Sequence, residues 1–135
     1  MMPDKPPLKV LIADDSILIR ARLSEMIAEL DTIQLVGQVI DTPAALGAIR
    51  ELKPDVVILD IYMPGGSGLQ ALKTIKALVP PPIVIMFTGH PEDQLKAACL
   101  EAGAEHFFDK AREFTAVMQV LERLAGAVVA LETRL

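Results

Sequence analysis

Five short apolar runs alternate with five amphipathic ones along this chain, and that alternation leaves few folds open. The apolar runs are Lys9–Ala13, Ile33–Val39, Asp55–Leu59, Pro82–Phe87 and Glu105–Phe108. The third and fourth carry no polar alternation, which marks strands covered on both faces of a parallel sheet. Between them the apolar residues fall at helical spacing. Ile19, Leu23, Met26, Ile27 and Leu30 make the first stripe. Thr42-Pro43 reads as an N-cap and first-turn pair opening a helix through Leu46, Ile49 and Leu52. Ser67 is expected to cap a third helix bearing Leu69, Leu72, Ile75 and Leu78, stopped by Pro80-Pro81-Pro82. Leu95, Ala98, Cys99 and Ala102 mark the fourth, ended by Gly103 as a left-handed residue. Phe114, Val117, Met118, Leu121, Leu124 and Val128 mark the fifth. The expected fold is α/β, a doubly wound five-stranded parallel sheet with helices on both faces.

Length and charge narrow the function. The 135 residues suit one domain, and 52% hydrophobic content supplies its core. A net charge of −5 gives no basic face for nucleic acid. The single cysteine, Cys99, excludes an internal disulfide and fits a reducing cytosol. Residues 1–7 lack the apolar stretch of a signal peptide and are expected to be a disordered tail. No apolar run has the length of a membrane span. The expectation is a soluble cytoplasmic protein with one domain over residues 8–125, followed by an extension of the last helix over residues 126–135.

Five polar residues sit at or just past the ends of the apolar runs: Asp14, Asp15, Asp60, Thr88 and Lys110. In a parallel sheet these ends share one edge, so the five side chains are expected to meet there. Three carboxylates close together repel and cost stability unless a cation compensates them. Hard oxygen donors of this kind suit Mg²⁺. With a hydroxyl and an ammonium beside them, they make a site for a divalent cation and a phosphoryl group. Helix capping by Asp15-Ser16 is the plainer alternative, and it leaves Asp60, Thr88 and Lys110 unexplained.

In order and spacing these residues resemble the receiver domain of two-component response regulators. The segments that carry the resemblance are Leu11–Ser16, Asp55–Pro64, Gly68-Leu69, Met86–Gly89, Ala102–Ala104 and Asp109-Lys110. The resemblance spans about Leu8 to Leu124 and implies the flavodoxin-like strand order 2-1-3-4-5. It implies that Asp60 is the phosphoacceptor, a carboxylate nucleophile that forms an acyl phosphate. Asp15, Asp60 and the backbone carbonyl of Tyr62 would hold Mg²⁺, with Asp14 acting through water. Thr88 and Lys110 would each hold a phosphoryl oxygen. Thr88 and Phe107 would form the switch pair. The donor would be a sensor histidine kinase or a histidine phosphotransfer protein. The output face, toward a downstream protein target, would be the fourth helix, fifth strand and fifth helix, roughly Glu92 to Leu124. Beyond its own phosphorylation and dephosphorylation such a domain is no enzyme.

The chain departs from the common receiver pattern at three places. Phe107 stands where Tyr is frequent, so coupling there must rest on packing. Ala111 follows Lys110 where many receivers have Pro, and a cis peptide without proline costs about 3 kcal/mol. Tyr62 and His90 are expected to line the mouth of the site, where a bulky Tyr62 would impede attacking water. Rival readings are a pseudo-receiver used as an interaction module and a Mg²⁺-dependent aspartyl-phosphate phosphatase. The phosphatase needs a second acid two residues after the nucleophile, where Tyr62 stands. A flavin-binding relative would need a phosphate-binding loop where Asp14-Asp15 would repel it. Met63–Gly68 lacks the Lys-Ser/Thr of a P-loop and is expected to be a flexible loop. His90 and His106 are expected to be solvated, and Cys99 buried and inert. The apolar pattern through Val128, Val129 and Leu131 is expected to pack on a partner or a second copy as a homodimer.

Overall fold

The computed structural model describes residues 6–134, with side-chain surroundings for residues 6–126. Most of the expected N-terminal tail therefore lies outside the described residues, as do the side chains of the C-terminal extension beyond residue 126.

The chain runs β1 (Leu8–Ala13), α1 (Ile17–Ala28), β2 (Ile33–Val39), α2 (Thr42–Leu52), β3 (Val56–Leu59), β4 (Tyr62–Met63), β5 (Gly66–Ser67), α3 (Gly68–Lys76), β6 (Ile83–Thr88), α4 (Asp93–Glu101), β7 (His106–Asp109) and α5 (Phe114–Arg134). Five strands form one sheet of order β2-β1-β3-β6-β7, and every neighbouring pair in it is parallel. Counted along that sheet alone, this is the expected order 2-1-3-4-5 with five helices. β4 and β5, two residues each, make a separate antiparallel hairpin.

Strand side chains alternate between faces, so one sheet feeds two cores. Val10, Ile12, Ile58, Ile85 and Phe87 pack with Leu23 and Ile27 of α1 and Val117 and Leu121 of α5. Leu11, Ala13, Val57, Leu59, Val84 and Met86 pack with Ile49 of α2, Leu72 and Ile75 of α3 and Cys99 of α4. Burial of each large aliphatic side chain contributes about 1.5–3 kcal/mol. In the first core the Phe114 ring meets Phe87 edge-on at 4.9 Å, and the Arg22 guanidinium covers Phe114 at 4.0 Å.

Local chemistry sets the ends of the elements. Ser16 and Ser67 cap α1 and α3, accepting from the backbone N–H of Ile19 and Gln70. The cap of α2 is Asp41 rather than Thr42: its carboxylate accepts from Ala44 N at 2.8 Å, and Thr42 is already helical. Aspartate one residue earlier satisfies the same orphan donors, and Pro43 still lies in the first turn. Gly103 takes φ 110° just past α4, as its position required. Two expectations are corrected. Met63–Gly68 is not a flexible loop, because it contains most of the β4–β5 hairpin. His106 is half-buried, stacked on Phe108 with ring centroids 5.7 Å apart. Cys99 is buried, as its place on the apolar stripe implied.

Candidate functional site

The ends of β1, β3, β6 and β7 bring the polar residues to one edge of the sheet. Backbone bonds fix each junction. Asp14 N donates to Val39 O at 3.0 Å, Asp60 N to Ala13 O at 3.0 Å and Lys110 N to Thr88 O at 2.9 Å. Each polar residue is thus tied to a neighbouring strand just where its own strand ends.

Carboxylate oxygens of Asp14, Asp15 and Asp60 lie within 4.8 Å of one another. Asp14 and Asp60 are buried and Asp15 is exposed. The Lys110 ammonium bridges the two buried acids, 2.7 Å from Asp14 Oδ2 and 2.8 Å from Asp60 Oδ2. One ammonium against three carboxylates leaves two negative charges in excess, which matches a divalent cation. The donor set is all oxygen and one member faces solvent, so the residues present fit Mg²⁺, which keeps several waters.

Burial pushes the Asp14 carboxyl above its ordinary value, against the opposing effect of the Lys110 hydrogen bond. For Lys110, burial alone would lower the ammonium pKa. Its hydrogen bonds to Asp14 and Asp60, and their charges, outweigh burial and raise it. Lys110 is therefore held as a cation between the acids.

Thr88 is fully buried, and its hydroxyl accepts from His90 N at 3.1 Å. Phe107 pairs with Met86 across β6 and β7 and is buried in the second core at 7% exposure. Tyr62 donates its backbone N–H to Asp60 Oδ1 at 3.4 Å. Its ring is half-exposed and meets His90 edge-on at 4.4 Å, so these two side chains share the rim. His90 is exposed to solvent, though not free of contacts.

Three supporting contacts escaped the sequence reading. Arg20 donates to the Asp14 carbonyl at 2.9 Å, one turn along the helix that starts beside the acids. Asp109 accepts from Ala111 N at 2.9 Å through its side chain, and Glu113 Oε1 accepts from Asp109 N at 3.1 Å. These bonds shape the turn after β7 where many receivers have Pro. The cis peptide bond among the described residues is Val79–Pro80, so the bond between Lys110 and Ala111 is trans, and Lys110 reaches both acids. Acid–turn–acid spacing at 109 and 113 was the available signal. A larger cleft, about 930 Å³, opens at the opposite edge beside Pro7, Leu78 and Pro80–Pro82, and none of the candidate site residues lines it.

The fold and the acidic edge define a class of small doubly wound α/β domains with a candidate cation site, and comparison with known proteins gives the family. The model of the response regulator receiver domain matches residues 10–122, and the chain belongs to that family. It is similar to the response regulator GacA of Pseudomonas syringae, 36% identical over 114 residues, covering 84% of this chain and 53% of that protein. It is also similar to Protein CcdB of Bacillus subtilis, 32% identical over 118 residues, covering 87% of this chain and 98% of that one. The solved response regulator domain of Thermotoga maritima CheB superposes with a TM-score of 0.72 at 32% identity, covering 92% of this chain and 95% of that chain. This chain spans about half the length of the GacA relatives it matches. Receiver domains act in two-component phosphorelay signalling, bind Mg²⁺ at an acidic pocket, and interact with histidine kinases and effector domains. The family is not enzymatic in the usual sense. No helix among the described residues is long and apolar enough to cross a membrane.

Proposed function

We propose that this chain accepts a phosphoryl group from a phosphohistidine onto Asp60 and passes the signal on by protein contact, with residues 8–125 as the working unit. The observation that carries this is the Lys110 ammonium seated between Asp14 and Asp60 at 2.7 and 2.8 Å. A cation placed there leaves one acceptor carboxylate within reach of a charge that can follow the incoming phosphoryl group.

An oxygen of Asp60 attacks phosphorus while the P–N bond to the donor imidazole breaks, and the imidazole leaves carrying the electron pair. The product is an acyl phosphate on Asp60. Lys110 then holds one phosphoryl oxygen and the Thr88 hydroxyl another, once it turns from its bond with His90 N. Asp15, Asp60 and the Tyr62 carbonyl would hold Mg²⁺, with Asp14 acting through water, and the cation would supply neutralisation and alignment of the phosphoryl oxygens. In hydrolysis, water attacks phosphorus and the Asp60 carboxylate leaves, giving inorganic phosphate. The Tyr62 and His90 rings narrow the path for that water. Movement of Thr88 toward the phosphoryl group and repacking of Phe107 alter the face formed by α4, β7 and α5. That face meets the downstream target or a second copy.

The test is intact mass after incubation with acetyl phosphate and Mg²⁺, beside Asp60→Asn and an EDTA control. A metal-dependent gain of one phosphoryl group, absent in the variant, is expected. If acetyl phosphate gives no gain and beryllofluoride with Mg²⁺ also fails to bind, the pseudo-receiver reading replaces this one.

A further inference from the structure

The β4–β5 hairpin stands between the acidic pocket and the start of α2, and its far side is tied to α2. The backbone N–H of Thr42 donates to the Pro64 carbonyl at 3.0 Å. The Thr42 hydroxyl donates to the Gly66 carbonyl at 3.3 Å. Thr42 is one of four buried polar or charged residues among those described, and the other three are Asp14, Asp60 and Thr88 of the site itself. The turn is also pressed against the helix: a Cβ on Gly65, at φ 90°, would lie 2.6 Å from Cδ of Pro43. The helix start is in turn held by the Asp41 cap.

On the other arm of the hairpin lies Tyr62. The register pairs Tyr62 with Ser67 and Met63 with Gly66. The carbonyl gripped by Thr42 therefore belongs to the residue opposite Met63, the neighbour of Tyr62. A backbone carbonyl has no rotamer with which to adjust to a cation, so its position is that of its loop. Groups that orient a ligand from behind commonly set metal affinity.

We propose that Thr42 is a positioning residue: its hydroxyl, acting through the hairpin, sets the Tyr62 carbonyl against the carboxylates and so sets the affinity for the divalent cation. This inference rests on the Mg²⁺-dependent reading above. It links the start of α2, on the opposite side of the hairpin from the acids, to the cation site.

Thr42→Val removes the hydroxyl with little change of shape, and Thr42→Ser restores it. Mg²⁺ binding to the full chain can be followed by fluorescence of Tyr62, the sole tyrosine of a chain without tryptophan, and checked by calorimetry. Loss of one hydrogen bond corresponds to about a three- to tenfold weaker Mg²⁺ affinity in Thr42→Val, with Thr42→Ser near wild type. Phosphorylation by acetyl phosphate should slow in the Val variant at low Mg²⁺ and recover at saturating Mg²⁺. A purely structural role would lower the urea midpoint without that recovery. Unchanged Mg²⁺ affinity in Thr42→Val, or a Ser variant as weak as the Val variant, overturns the proposal. Thr42→Ala serves the same comparison if the Val variant does not fold. Absence of Mg²⁺ binding by the wild-type chain would instead overturn the Mg²⁺-dependent reading on which the proposal rests.

Discussion

Gly68 opens α3, and its backbone touches the strand end that carries Asp60. A Cβ built on Gly68 would lie 2.3 Å from the Ile61 carbonyl oxygen, 2.5 Å from its Cα and 2.7 Å from its carbonyl carbon. These are backbone atoms, which cannot swing aside as a side chain does. Ordinary contact begins near 3.4 Å, so Gly68→Ala must open this approach by about 1 Å. The hydrogen bond from Gly68 N to Ile61 O, 3.0 Å long, must stretch with it. Overpacking of this kind costs about 1–3 kcal/mol. The weakened bond adds about 1 kcal/mol, and the better helix propensity of alanine returns at most about 1 kcal/mol. The expected net loss is about 2 kcal/mol in urea unfolding. Because Ile61 precedes Tyr62, the same shift should weaken Mg²⁺ binding by about tenfold. Gly47 supplies the control. It lies inside α2, and beyond its own helix backbone and chain neighbours no described atom comes within 4 Å of a built Cβ, so Gly47→Ala should stabilise by about 0.5–1 kcal/mol. If Gly68→Ala behaves like Gly47→Ala, with unchanged Mg²⁺ affinity, the steric reasoning is wrong.

Lys110→Met strips the acids of their counter-ion and should cost about 3 kcal/mol of stability in EDTA, most of it recovered at saturating Mg²⁺; equal losses with and without Mg²⁺ would sink the idea. Burial raises the Asp14 carboxyl above its unfolded value, so the folded apo-protein holds that proton more tightly. Its contribution to stability is present below the unfolded value and is lost as pH rises through the folded one. Urea midpoints of Asp14→Asn relative to wild type should therefore climb as pH rises above the ordinary aspartate range without Mg²⁺; parallel curves would contradict this. Tyr62→Ala opens the rim beside His90 and should shorten the acyl-phosphate lifetime several-fold, read by loss of the phosphorylated mass with time. Equal lifetimes would show that the aromatic pair does not hinder water.

The parallel sheet and the gathering of the acids were legible because both depend on local pattern, whereas the strand order came from the family resemblance. Strands that must be covered on both faces read as unbroken apolar runs, and chemistry at their ends follows from parallel topology. Boundaries shifted by one residue: Thr88 closes β6 rather than following it, and Asp109 belongs to β7. The β4–β5 hairpin was illegible because two-residue strands have no period to read, and Gly65-Gly66 looks like any flexible turn. The cap expected at Thr42 falls to Asp41 because both residue types are good caps and only tertiary contact separates them. In the structure Thr42 spends its hydroxyl on the hairpin. The Arg20 and Glu113 contacts with site-bearing residues depend on side-chain reach across a turn, which spacing alone does not fix.

Among the described residues the two cores lie on opposite faces of the sheet, and this separates their responses to change. A substitution at Leu23 is felt by α1, α5 and one side of the sheet, whereas one at Leu72 is felt by α2, α3 and α4 on the other. Changes on opposite sides should combine nearly additively, while neighbours within one side must change together. Lineages could then remodel the helices on one face to suit a new partner while those behind kept their packing. Lys110 and the acids sit at the seam between the two faces, in view of both.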